Sequence, residues 1–195
     1  MTSGFWRAGP GLAGGIDKDG SRAAELLALG FAGVEFGTVA PLPEMPDQPG
    51  VDALVARLAA YRAAHLTTLG ACRPDDARIG VGLGMRSGGE AQDLVADWLA
   101  GLRAAYGVAD YLSFNLSARA YRPLLVEENS ALLARAIAGV ADERARLAAV
   151  CGRRVALTLK LPLSPGPLPG VVRAATEAAS TAGFDALTVV LPEGA

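Results

Sequence analysis

The chain has 195 residues, 51% of them hydrophobic and 19% charged, with a formal net charge of −2 at pH 7. That is enough apolar chain for one sizeable folded domain, read here as residues 1–195, and it gives no electrostatic hold on nucleic acid or an acidic membrane. A single histidine, His65, and two cysteines, Cys72 and Cys151, stand in no metal-ligand spacing, which excludes a histidine-rich metal centre and points to free thiols in a reducing cytoplasm. No run of about 18 apolar residues is present to span a bilayer.

The first element is the apolar stretch Gly11–Ile16, read as a strand that ends in two glycines and then exposes the charged pair Asp17 and Lys18. Gly14 and Gly15 have no side chains to hold a flat or bulky group away from their backbone. Asp19 stands where it can cap the helix predicted over Ser21–Leu29, and Gly30 closes that helix. Gly33–Gly37 is the second strand, with Thr38 and Val39 at its exit. Four prolines between Pro41 and Gly50 then exclude a helix or a central strand. Val51–Ala64 places Val51, Leu54, Val55, Leu58 and Tyr61 on one helical face. Arg78–Met85 is a glycine-spaced third strand, and Ala91–Tyr106 the next helix. Asp110–Ser117 is the fourth strand, followed by a long helix over Asn129–Val150. Arg154–Leu161 is the fifth strand, Val171–Ala182 a helix closed by Gly183, and Ala186–Leu191 the sixth strand.

Six apolar strands alternating with five helices predict a parallel sheet with right-handed crossovers. An open doubly wound sheet and a (β/α) barrel both meet that description, and a full eight-fold barrel usually takes roughly 250 residues. No GxGxxG stands at a strand-to-helix turn and no P-loop is present, so the common nucleotide signatures of open sheets are missing.

The chemistry-bearing residues fall at predicted strand ends: Asp17 and Lys18, Thr38, Gly82 with Gly84 and Arg86, Asn115 with Ser117, and Lys160. Function in α/β proteins collects at that end of the strands. Lys160, inside Thr-Leu-Lys-Leu-Pro, is costly to bury without an anion or an acceptor; it either meets a ligand or reaches solvent at the end of the sheet. Asn115 carries an amide that wants several partners. A Ser-His-Asp triad would have to draw on His65, which lies on a helix and not at a strand end.

Gly11-Leu12-Ala13-Gly14-Gly15-Ile16-Asp17-Lys18-Asp19-Gly20 resembles the first barrel strand of class 2 dihydroorotate dehydrogenases. The resemblance continues through Leu29–Pro41 and resumes at Gly50–Leu58, Gly80–Gly84, Ala109–Ser117 and Leu159–Pro162, in order and spacing. It implies a partial (β/α) TIM-type barrel of about six parallel strands alternating with helices. It also implies FMN as cofactor and the oxidation of dihydroorotate to orotate in pyrimidine biosynthesis. By the same resemblance Gly14, Gly15, Lys18, Thr38, Asn115 and Lys160 contact the flavin, and Lys18 and Asn115 also face the substrate.

The departures matter as much as the matches. The family's Asn-x-Ser-Ser-Pro-Asn on strand four carries the proton-abstracting base as its second serine. Here the stretch is Asn115-Leu116-Ser117-Ala118-Arg119-Ala120, so the base position is Ala118 and no catalytic residue is assigned. Ser117 is one position away, which on a strand means the opposite face. The family's Asn-Arg-x-Gly-Phe-Asn-Asn stretch is replaced by the proline-rich loop, its strand-three asparagine is Gly82, and its sixth-strand Asn-Thr is Leu191-Pro192. Strands seven and eight, which carry the FMN phosphate site, have no counterpart in the 195 residues. Three functions remain open: a flavin oxidoreductase of this type, a non-catalytic relative that binds a partner, and a barrel enzyme that uses Lys18 and Lys160 for other chemistry. Class 2 relatives meet the bilayer through an amphipathic segment, whereas Met1–Ala8 offers only Phe5 and Trp6, so no membrane contact is expected. The uncharged Ala186–Leu191 strand predicts a homo-oligomer, or a second polypeptide, covering the open side of the barrel.

Overall fold

The computed structural model describes residue 6 and residues 8–42, 50–69, 77–163 and 166–191, with the side chains of all of these except 66–69. Six strands form one parallel sheet in chain order: β1 (Gly11–Leu12), β2 (Gly33–Val39), β3 (Arg78–Leu83), β4 (Tyr111–Asn115), β5 (Ala156–Pro162) and β6 (Ala186–Val190). Five helices connect them: α1 (Ala23–Leu27), α2 (Gly50–Leu69), α3 (Leu94–Ala105), α4 (Ser130–Cys151) and α5 (Gly170–Thr181). The order never reverses around β1, as a doubly wound sheet requires. The sheet curls into a half-barrel, as the partial-barrel reading expects.

Strand alternation explains which residues go where. Val34 and Phe36, Ile79, Val81 and Leu83, Leu112 and Phe114, and Leu157, Leu159 and Leu161 are all buried in one apolar core under the helices. Helix α3 sets Leu94, Trp98, Leu102 and Ala105 against this layer, and the rings of Trp98 and Phe114 meet with centroids 5.0 Å apart. The other face of the strands lines the inside of the curl and carries Glu35, Gly80, Gly82, Tyr111, Ser113, Asn115, Thr158 and Lys160. Between α3 and α4, Arg146 and Arg103 hold the Glu143 carboxyl down at about 2. At the start of β5 and β6, the covered carboxylate of Asp185 accepts from the Leu157 amide and pairs with Arg144 and Arg154.

Several elements differ in extent from the sequence reading. The first strand was expected over Gly11–Ile16, but only Gly11 and Leu12 ladder onto β2. Gly14 and Gly15 turn the chain out of the sheet, and the Gly15 amide bonds instead to the Gly37 carbonyl at 2.5 Å. Helix α1 starts at Ala23 and not at Ser21, because Asp17 gathers the preceding amides into a loop. Helix α2 runs past Ala64 to Leu69. Residues 43–49 of the proline-rich stretch, Cys72, Pro165, Pro192 and most of Met1–Ala8 lie outside the described residues; Trp6, within them, packs edge-on to Tyr111. Among the described residues no helix is long and apolar enough to cross a membrane, and no group of His, Cys, Asp and Glu is arranged to hold a metal ion. On β6, Leu187 and Val189 are 44% and 53% exposed.

Candidate functional site

A cavity of about 1250 Å³ opens at the carboxyl ends of the strands. Gly14, Gly15, Lys18, Thr38, Asn115 and Lys160 all line it, so the six residues singled out from four different strand ends share one space.

The loop after β1 is built around Asp17. Its carboxylate accepts the amides of Asp19 at 3.2 Å, Gly20 at 2.8 Å and Arg22 at 2.9 Å, and its own carbonyl accepts the Gly37 amide. Asp17 is therefore buried, and the expectation of an exposed Asp-Lys pair is corrected: only Lys18 is exposed. Asp19 does not cap α1 either; it accepts the Ser21 amide and pairs with Arg57 of α2. A side chain at Gly15 would meet nothing within 4 Å, whereas one at Gly14 would land 2.6 Å from Glu35 Oε1. Gly14 thus makes room for the protein's own carboxylate as well as facing the cavity.

Lys160 is largely buried and borders the cavity. Its Nζ donates to Glu35 Oε1 at 3.1 Å, with both side chains buried on the inner face. Asn115 Nδ2 donates to Thr38 Oγ1 at 2.8 Å, and Asn115 Oδ1 accepts from both the amide and the hydroxyl of Ser117 at 2.8 Å. An ammonium has three donors, an amide nitrogen two and a hydroxyl one. Donors therefore remain on Lys160, Asn115 and Thr38 beyond these internal bonds, and the exposed Lys18 adds an ammonium. The wall offers hydrogens and positive charge to an acceptor.

The glycines of β3, and Gly84 just beyond it, leave space that the protein's own side chains fill. A methyl at Gly80 would fall 2.1 Å from the Tyr111 ring, one at Gly82 would fall 3.2 Å from Glu35 Oε1, and one at Gly84 would fall 2.0 Å from the Tyr121 hydroxyl. The bare face of this strand is filled by large side chains from its neighbours. Burial, followed by the charges of Glu35 and Asp110, pushes the Tyr111 hydroxyl far above its ordinary value, so it stays protonated. Gly37 takes φ +101°, and a Cβ there would strike the Gly82 carbonyl at 2.6 Å. No other residue fits that position. Arg86 is paired with Asp97 of α3.

Ser117 corrects the face argument. Strand β4 ends at Asn115, so alternation no longer applies two residues later, and Ser117 and Ala118 both line the cavity. The Ser117 hydroxyl donates to Asn115, and position 118 offers only a methyl group. His65 lies elsewhere, stacked on Tyr61 beside a separate cavity of about 450 Å³. Sequence reasoning missed Glu35, Asp97 and Tyr121. Glu35 carried the same signal as Lys160, a charge between apolar strand residues, and each is the other's partner.

No protein-family model matches the chain. A dihydroorotate dehydrogenase (quinone) of Sinorhizobium fredii is 36% identical over 164 residues, covering 77% of this chain and 44% of that protein. The protein of that name from Sinorhizobium medicae is 34% identical over 168 residues with the same coverage, and that from Methylococcus capsulatus is 32% identical over 160 residues, 47% of its length. The chain spans less than half the length of these relatives. Among solved structures, DHODH from Eimeria tenella in complex with ferulenol superposes with a TM-score of 0.73 at 22% identity, over 96% of this chain and 58% of that one. The ligand-free form gives 0.71 at 23% identity. At that identity the likeness speaks to the fold.

Proposed function

We propose, for a chain that is a divergent relative of the dihydroorotate dehydrogenases, that it forms the wall of an FMN site on a half-barrel and lacks the side chain that removes a proton from dihydroorotate. The observation that carries this reading is the convergence of Lys18, Thr38, Asn115 and Lys160 on one cavity, with donors left over after every internal bond is counted. The fit to a flavin is chemical: its pyrimidine edge is rich in acceptors, Gly15 leaves open space for a flat ring, and the acceptor-rich Glu35 is turned to Lys160. Bound FMN supplies a two-electron acceptor. Lys160, held by Glu35, keeps a fixed positive charge on the wall, where it favours extra negative charge on a bound group. Asn115, braced by Thr38 and Ser117, presents a donor in one orientation. The exposed Lys18 offers charge to a substrate.

Titration of the protein into FMN is expected to quench the flavin fluorescence, and Lys18→Ala, at an exposed position on the cavity wall, to weaken that binding. Fluorescence unchanged at roughly 100 μM protein, the upper range of a useful cofactor affinity, would reject the flavin reading. With Ala118 at the base position, dihydroorotate oxidation is expected to run about 10²–10⁴-fold below a rate with general-base help. Turnover at ordinary enzyme rates would show that another group, Ser117 foremost, takes the proton.

A second reading rests on β6. Leu187 and Val189 present an exposed apolar outer face on a strand that, among the described residues, pairs on one side only. It is a surface for a second copy of the chain or another polypeptide, acting with or without catalysis. Light scattering is expected to show an assembly that Leu187→Lys with Val189→Lys disperses; a monodisperse wild-type monomer at micromolar concentration would reject it. Val190, on the inner side of the strand and partly covered, is not part of that face.

A further inference from the structure

Ser113 is fully buried on the inner face of β4, and its hydroxyl has no hydrogen-bond partner among the described residues. A buried hydroxyl left unpaired is costly, and such groups are satisfied by protein or by ordered water in nearly every fold. The row of the sheet that holds it is narrow. Gly82, Ser113, Thr158 and Ala186 are register neighbours from β3 to β6, with Asn115 and Lys160 in the row above and Tyr111 in the row below.

The space beside Ser113 lies over Gly82. Methyls at Gly80 and Gly84 would run into tyrosines, 2.1 and 2.0 Å away. The place of a Gly82 Cβ is rimmed instead by three oxygens: Glu35 Oε1 at 3.2 Å, Thr38 Oγ1 at 3.4 Å and the Phe36 carbonyl at 3.5 Å. Neighbouring strands stand about 4.8 Å apart, so one water above Gly82 is within reach of the Ser113 hydroxyl.

Hydrogens and lone pairs match. Thr38 Oγ1 accepts from Asn115 Nδ2 at 2.8 Å, which leaves its own hydrogen to give. Ser113 gives a second. Glu35 Oε1 and the Phe36 carbonyl accept. Two donors and two acceptors are what a single water completes. Four such oxygens also suit a small hard cation. Lys160 Nζ, however, already stands 3.1 Å from Glu35 Oε1, and a second positive charge beside it is unfavourable.

We propose that Ser113, Thr38, Glu35 and the Phe36 carbonyl hold a buried water over Gly82, and that this water is a positioning element of the cavity wall. It joins the Glu35–Lys160 pair to the Thr38–Asn115 pair. It turns the Thr38 hydrogen away from the cavity, and through Thr38 it fixes the Asn115 amide, whose second hydrogen is left for a bound molecule. The site is independent of what the cavity holds.

The direct test is a high-resolution crystal structure of the whole chain. A peak is expected within about 2.7–3.2 Å of Ser113 Oγ, Glu35 Oε1 and Thr38 Oγ1. It is expected to stay unchanged when rubidium replaces sodium in the crystals. A space closed by side chains, or a peak that gains electrons with rubidium, overturns the proposal. In solution, Gly82→Ser puts a hydroxyl where the water stands, while Gly82→Ala fills the space and offers no hydrogen bond. The Asn115 side-chain amide hydrogens are expected to exchange about tenfold faster in Gly82→Ala, the equivalent of one hydrogen bond, and at the wild-type rate in Gly82→Ser. Both variants set the same Cβ against Glu35. Faster exchange in both is therefore a steric disturbance and overturns the positioning role, as does equal exchange in all three proteins. Should neither variant fold, Ser113→Ala carries the measurement: it removes one partner of the water and adds no bulk, and an unchanged exchange rate there overturns the role.

Discussion

Lys160→Ala is expected to destabilise the fold by about 3–5 kcal/mol, the cost of leaving one member of a buried ion pair without its partner. Glu35 is the residue left behind. Its side chain is 7% exposed, and the glycines beside it, Gly14 and Gly82, bring backbone and no cation. Glu35→Ala strands the lysine in the same way, although the cavity gives Lys160 some access to water, so its cost falls at the lower end of that range. Against a typical total of about 5–15 kcal/mol either loss is severe. The double variant Glu35→Gln/Lys160→Met removes both charges and keeps the volume, and is expected to recover most of the loss. Urea unfolding of the three variants checks this. If Lys160→Ala unfolds within about 1 kcal/mol of wild type, the pair is not the buried contact described here.

Gly80→Ala is expected to be strongly destabilising, because the added methyl meets a ring and not open space. Its Cβ would sit 2.1 Å from the Tyr111 ring, well inside van der Waals contact. The ring is itself held between Trp6 and the strand, so it has little freedom to move aside. Overpacking commonly costs about 1–3 kcal/mol, and this site belongs at the top of that range. Tyr111→Leu is expected to relieve the clash, so the double variant should be more stable than the sum of the two single changes allows. Thermal unfolding of the four proteins closes the cycle. Additive effects would mean that Tyr111 does not occupy the space above Gly80.

Most of the architecture is legible in the chain because the strands are buried on their helix side by uninterrupted apolar alternation, as in Ile79-Gly80-Val81-Gly82-Leu83. Strand ends were less legible. Periodicity carries Gly11–Ile16 and Asp110–Ser117 too far, because what stops each ladder is a turn with bonds of its own, Gly15 to Gly37 across the sheet in one case and Ser117 to the Asn115 side chain two residues before it in the other. The cavity wall was readable residue by residue, since a lone lysine or asparagine in an apolar strand announces itself. The partnerships were not, because Glu35 and Lys160 are 125 positions apart and only the curl of the sheet brings them together. Tyr121 gave no signal: a tyrosine in a polar loop looks like a surface residue until β3 offers it the space beside a glycine.

The strictly sequential strand order has a consequence for how the chain comes to its structure. Each unit finds its partner already made, so the sheet can grow by accretion as the polypeptide is synthesised, and no strand waits for a later one to be inserted beside it. Stability in such an array is close to a sum of unit and junction contributions, as in a solenoid. Two links break that locality. Thr38 to Asn115 and Glu35 to Lys160 tie the second strand to the fourth and the fifth across the hollow of the sheet. Both lie in the cavity wall. Local growth lays down the strands, and the ligand-facing surface exists only once the arc has bent far enough to latch.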